Sequence, residues 1–205
     1  MDTRFWGPSG WQLFHLITFE KGMLSTKKKL FTAMKDVLPC KYCRQSTNEF
    51  MREMPIDNNL SFWLYKLHSR VNKKLSDQHA EDSRIIKPAE APPFEEVVKK
   101  YKKEPTSIPG KEFLLSIAYN YDPEIHKQAN IDFWEALVKV FPYKFRKNIF
   151  MPDLSSQKTY LKDILTMLGE DSSIIKILKK YKSKCKKGKT CRNTRGGNRT
   201  LKRIV

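Results

Sequence analysis

The chain is predicted to be all-α, with an N-terminal four-helix bundle and a short fifth helix, then a second, mostly helical domain and a basic tail. Three observations predict this. Apolar residues recur at three- and four-residue steps along most of the sequence, and no β-branched alternating run intervenes. Clusters at Gly7-Pro8-Ser9-Gly10, Leu38-Pro39, Pro55 to Asn59 and Pro88 to Pro93 punctuate the periodic segments. A length of 205 residues with 40% hydrophobic and 12% aromatic content is enough to bury a sizeable core without disulfide staples.

Each element has its own signal. Helices are expected near Ser9 to Gly22, Thr26 to Asp36, Lys41 to Glu53, Asn58 to Leu75 and Phe94 to Lys103. The fourth is the clearest, because Leu60, Trp63, Leu64, Leu67, Val71 and Leu75 share one face and Asn58 or Asn59 offers a cap. "KKEPTSIPGKE" from Lys102 reads as a linker, so the divisions expected are 1–104, 105–182 and 183–205. Beyond the linker, Phe113 to Tyr121, Ile131 to Phe141, Ser155 to Leu168 and Ser172 to Tyr181 read as helices. Phe133, Trp134, Phe141, Tyr143 and Phe145 are read as core and interface aromatics.

Charge separates the tail from the rest. Thirteen of the +18 net charges fall in Lys176 to Val205, which holds no Asp or Glu. The remainder is only mildly basic. No window approaches a membrane span, and "MDTRFWGPSGW" has no signal-peptide pattern, so a soluble chain outside the secretory pathway is expected. In that setting a Cys-x-x-Cys more often does redox, catalytic or metal chemistry than structural stapling.

"VLPCKYCRQSTNEF" contains such a pair, Cys40 and Cys43, at the start of a helix. Unsatisfied N–H groups, the positive end of the helix dipole, Lys41 and Arg44 all favour a thiolate there. Three positions apart on a helix, the two sulfurs are within reach of one bond. Other readings stay open on the residues alone. The pair could be two buried apolar cysteines. It could belong to a zinc site, for which His15, His68 and His79 are the isolated candidates for further ligands. A thioredoxin-type site would instead need a preceding strand. The neighbouring helices add aromatic and polar faces: Trp11 and His15 lie one turn apart, as do His68 and Asn72. Facing helices of this kind build sites for planar cofactors.

These residues resemble the Erv/ALR FAD-linked sulfhydryl oxidases, particularly members encoded by large DNA viruses, over about Phe5 to Tyr101. The motifs are Trp11 with His15, then Pro39-Cys40-x-x-Cys43 with Phe50, then Trp63-Leu64, His68, Val71 and Asn72 in order. Ser69 stands where the family commonly has Asn, and the insertion "SDQHAEDSRII" displaces the Lys-Pro and the distal aromatic that follow. The resemblance implies that Cys40 and Cys43 are catalytic. It implies FAD as cofactor, bound by Trp11, His15, Cys43, His68, Val71, Asn72, Lys87 and Tyr101. It further implies reduced protein thiols as substrate, exchange at Cys40 as the more exposed sulfur, Cys43 facing the flavin, and oxygen as acceptor giving hydrogen peroxide. A homodimer through the flavin-binding bundle, and action in the host cytoplasm or virion if the chain is viral, are also implied.

Two further readings concern the rest of the chain. Cys185 and Cys191, in "KCKKGKTCR", are expected to form a shuttle disulfide that passes electrons to the Cys40–Cys43 pair, as many relatives of the resembled family do; the plain alternative is two exposed thiols or a loop-closing disulfide without function. The tail cations could contact nucleic acid. A non-enzymatic helical interaction module with a nucleic-acid-binding tail is the rival function, and it predicts a colourless protein.

Overall fold

The computed structural model describes residues 1–83, 85 and 87–182. The shuttle candidates Cys185 and Cys191 and most of the basic tail therefore lie outside the described residues. Among the described residues the regular structure is helical throughout: α1 (Thr3–Phe19), α2 (Leu24–Val37), α3 (Lys41–Glu53), α4 (Leu60–Glu81), α5 (Phe94–Tyr101), α6 (Lys111–Tyr119), α7 (Pro123–Val140), a 3-10 helix (Tyr143–Asn148), α8 (Gln157–Leu168) and α9 (Ile174–Tyr181). None of these helices is long and apolar enough to cross a membrane.

Several boundaries differ from the sequence reading, each for a local reason. Helix α1 starts at Thr3 and runs through Gly7-Pro8 instead of starting at Ser9. Asp2 caps it by accepting from the Arg4 N–H at 2.9 Å, and a proline this near the start removes one backbone bond while its fixed φ still suits a helix. Helix α7 begins at Pro123, earlier than Ile131, with Asp122 as cap and proline in the first turn, where its missing N–H costs nothing. Helix α4 continues to Glu81, past Leu75 and into the inserted segment. Its predicted cap is present: Asn59 accepts from the Phe62 N–H.

Packing follows from the apolar stripes. Leu60, Trp63, Leu64 and Leu67 of α4 are buried, and the Trp63 indole donates to the Met54 carbonyl at 3.0 Å, fixing the turn between α3 and α4. Helix α4 packs on α1, α3 and α5, and α2 packs on α3. Leu13 and Phe14 of α1 and Leu30 and Phe31 of α2 are also buried. Helix α6 covers α1, and α7 covers α2 in the most extensive helix contact of the fold. Phe113 of α6 is the joint: its ring meets Phe14 edge-on at 5.1 Å, Trp6 at 5.8 Å and Phe133 at 6.2 Å. Residues before and after the Lys102 linker thus belong to one continuous apolar cluster. Gly110 makes the close approach possible. It adopts φ +83°, and a Cβ there would lie 2.6 Å from a Leu13 methyl.

The far end of the chain returns to the start. Tyr181 stacks on Phe5 at 4.6 Å, and its carbonyl accepts from the Asp2 N–H at 3.0 Å. The adjacent Met1 nitrogen donates to the Pro39 carbonyl at 3.2 Å, so the end of α9 lies close to the loop that opens α3.

Candidate functional site

Two groups of residues from the sequence reading are assembled within the first five helices. The first is the cysteine pair. Cys40 is the N-cap of α3, with its sulfur accepting from the Cys43 N–H at 3.2 Å. That is the thiolate-favouring position the sequence suggests. Cys40 and Cys43 are present as a dithiol. Their exposure reverses the expected order: Cys40 is 1% exposed, whereas Cys43 is half-buried. The capping role turns the Cys40 sulfur in against its own helix.

The two thiols are electrically unequal. The Cys43 thiol is pushed well above its ordinary value, first by its hydrogen bond with Cys40, then by burial and by the charge of Cys40. Lys74 and the Met1 ammonium act in the opposite direction. Lys74 is the side chain of α4 that supports charge on Cys43.

The second group is a cluster of rings. Trp11 of α1 stacks on His68 of α4 with centroids 4.0 Å apart, and His15 stacks on Tyr101 of α5 at 4.9 Å. His15 Nε2 and His68 Nδ1 are 3.2 Å apart, so one ring donates to the other and their tautomers are linked. Burial brings the His15 pKa down to about 3, with His68 and Lys100 adding to the shift, and burial brings His68 down to about 4. Asn72 lies one turn beyond His68 on α4, and Val71 packs partly buried against the core. Lys87 is exposed on the connection between α4 and α5, outside the ring stack. Ser69 turns back to donate to the Tyr65 carbonyl at 3.0 Å.

A pH dependence follows from the imidazole pair. Their folded pKa values lie below the unfolded value of about 6.5, so between roughly pH 6.5 and 4 the unfolded chain binds more protons and acidification destabilises the fold. On the flavin-free chain, urea melts should lose on the order of 2–4 kcal/mol between pH 7 and pH 5. The His15→Phe, His68→Phe double variant should flatten that slope; an unchanged slope would show that other groups govern it.

Sequence reasoning missed Lys74 and Gln78. Lys74 donates to the Ser46 hydroxyl of α3. Gln78 is buried, and neither of its amide atoms has a partner among the described residues; the same holds for His15 Nδ1. Lys74 follows the motif residue Asn72 by two positions and could have been found by projecting α4 beyond the motif. Gln78 could not, because the insertion gave no reason to extend the helix.

Fold and site together define a helical protein with a redox-capable dithiol at a helix start, beside a buried stack of aromatic and imidazole rings. Residues 8–90 match the model of the Erv1 / Alr family, known for FAD-linked thiol oxidase activity. The match includes Trp11, His15, Cys40, Cys43, His68, Val71, Asn72 and Lys87, and ends before Tyr101. No curated protein and no solved structure matches the chain.

The residues suit the ring system of a flavin. Ring faces from three helices supply stacking, and His15 Nδ1 and the Gln78 amide are buried polar groups whose partners a polar ring system could provide. Such a ring would replace ring-on-ring stacking with ring-on-flavin stacking. Of the other readings of the cysteines, a zinc site needs further ligands, and among the described residues no grouping of three His, Cys, Asp or Glu side chains is placed to hold a metal ion.

Proposed function

We propose that the protein is an FAD-linked thiol oxidase that forms disulfide bonds in protein substrates. The observation that carries this reading is the Cys40–Cys43 dithiol and the Trp11, His15, His68 ring stack occurring together in the segment that matches the family. His68 and Lys74 are separated by about 9 Å along α4, a distance that a tricyclic ring system can bridge from the stack to the dithiol.

The chemistry starts from the oxidised pair. A substrate thiolate attacks the Cys40 sulfur, the Cys40–Cys43 bond breaks, and a mixed disulfide leaves Cys43 as a thiolate beside Lys74. The second substrate thiolate then displaces Cys40, so the substrate gains a disulfide and the enzyme holds two thiols. Cys40 is covered in the dithiol state, so substrate entry requires local rearrangement at the start of α3. FAD, when bound, supplies a two-electron acceptor that reoxidises the dithiol and delivers the electron pair to oxygen as hydrogen peroxide. Trp11, His15, His68, Asn72 and Tyr101 hold and orient the ring, and the neutral imidazoles can serve as hydrogen-bond partners without titrating near neutrality.

The deciding experiment is the visible spectrum. The purified chain, as isolated or reconstituted with FAD, should be yellow and oxidise dithiothreitol with oxygen uptake. A folded protein that takes up no FAD would remove the oxidase reading and favour the interaction-module alternative.

Cys185 and Cys191 are proposed as a shuttle pair. In support, the last described helix ends at Tyr181, which is fastened beside Asp2 and hence near Pro39. Changing both cysteines to Ser should slow oxidation of a reduced protein several-fold more than oxidation of dithiothreitol; equal effects on the two substrates would exclude a shuttle. Since α6 and α7 cover α1 and α2, a homodimer through the bundle would use α3, α4 or α5.

A further inference from the structure

Gln78 is 6% exposed, and both its amide oxygen and its amide nitrogen are buried with no partner among the described residues. A buried amide with neither atom paired is costly to leave so, and its position calls for a ligand. Its neighbour Asp77 faces outward to Lys73. Gln78 is therefore the inward-facing member of this turn.

The register between α4 and α3 locates it. Arg70 of α4 reaches Glu53 at 3.0 Å and lies over the Phe50 ring of α3. One turn further along α4, Lys74 donates to Ser46, one turn earlier in α3. The Ser46 hydroxyl in turn donates to the Tyr42 carbonyl at 2.8 Å. Extended by one more turn, this antiparallel progression would bring Gln78 to the level of Tyr42, in the turn of α3 that also carries Cys43. The ring stack, Lys74 and Gln78 thus succeed one another along α4 towards the dithiol.

The ligand chemistry matches that location. One end of a flavin ring is an imide, a carbonyl, an N–H and a second carbonyl in a row, and the ring carbon that accepts electrons adjoins this edge. A ring that offers that carbon to Cys43 carries its imide edge to the same turn. A primary amide places one donor and one acceptor side by side, the complement of a carbonyl beside an N–H. Resting on the flavin-dependent reading above, we propose that Gln78 is a cofactor-positioning residue whose side-chain amide pairs with the imide edge of the flavin. Its source is the inserted segment that extends α4 past Leu75, and neither the motif residues nor their spacing include it.

The test compares FAD with N3-methyl-FAD, in which the imide N–H is replaced by a methyl group. Binding to flavin-free protein is read by flavin fluorescence and by the visible spectrum. Wild-type protein should bind the methylated cofactor about 10-fold or more weakly than FAD. Gln78→Met, which keeps the side-chain volume, should bind FAD about 10-fold more weakly than wild type and lose the discrimination. Should that variant fail to fold, Gln78→Glu supplies the second readout: without an amide donor, a carbonyl stretch of bound FAD should move to higher frequency in the infrared difference spectrum. A wild type that binds both cofactors equally, a Gln78→Met variant that discriminates as wild type does, or an unmoved carbonyl stretch in Gln78→Glu would overturn the assignment and leave the flavin reading intact. A wild type that binds neither cofactor would overturn both.

Discussion

Cys43→Ser is expected to keep FAD and lose thiol oxidation by on the order of 10³-fold or more, since no exchange can then generate the thiolate that the proposed mechanism puts beside the flavin. Cys40→Ser should be as inactive but should look different. In the wild-type dithiol the Cys43 proton is held chiefly by the hydrogen bond to Cys40, with burial and the Cys40 charge adding to it. Replacing that sulfur by a hydroxyl takes away the Cys40 charge and leaves Lys74 in place. The Cys43 thiol should then titrate at a lower pH than in wild type, measured by thiolate absorbance on flavin-free protein. The flavin-loaded variant should show a thiolate-to-flavin charge-transfer band at rest. If both variants oxidise dithiothreitol at the wild-type rate, or if the Cys43 titration does not move down in Cys40→Ser, the division of labour between the two sulfurs is wrong.

The largest stability effect is expected at Phe113. Its ring is fully buried and touches residues of α1 and α7, so Phe113→Ala should cost about 3–5 kcal/mol, through lost transfer energy and the cavity left behind. For a chain of this length that is a fall in melting temperature of roughly 10 °C. Because the same ring seats against Gly10 and Phe14, the loss should appear in one calorimetric transition and weaken FAD retention with it. Two separate transitions, with the flavin-binding one unmoved, would mean that the segments on either side of the linker fold independently.

How much of this could be read from the chain is best judged element by element. The stripe of α4, the Asn59 cap and the helical start at Cys40 were legible because each depends on a few neighbouring residues. Trp11, His15 and His68 were legible as candidates because their motifs are local, and the structure stacks Trp11 on His68 as two facing helices allow. Tyr101 reaches His15 although the insertion obscured its spacing, since helix α5 can be carried back to α1 by a connection of any suitable length. The burial order of the cysteines was not legible: Cys40 caps its helix beside Pro39, whose carbonyl accepts from the Met1 nitrogen, a contact across 38 positions. The joint at Phe113 was hidden for the same reason. A periodic apolar face shows that a helix is covered but not which later helix covers it.

That joint also has a bearing on how the protein is made. The face of α1 that holds Gly10 and Leu13 finds its partners at Phe113 and Gly110, roughly a hundred residues later in the chain. At translation speeds of about 5–20 residues per second, the ribosome takes on the order of 5–20 s to deliver them. During that interval α1 and α2 have emerged with their outer apolar faces bare, an opening for chaperones or for pairing between neighbouring nascent chains. Ribosome profiling of chaperone-bound nascent chains should show occupancy rising after α2 emerges and falling once α7 has cleared the exit tunnel.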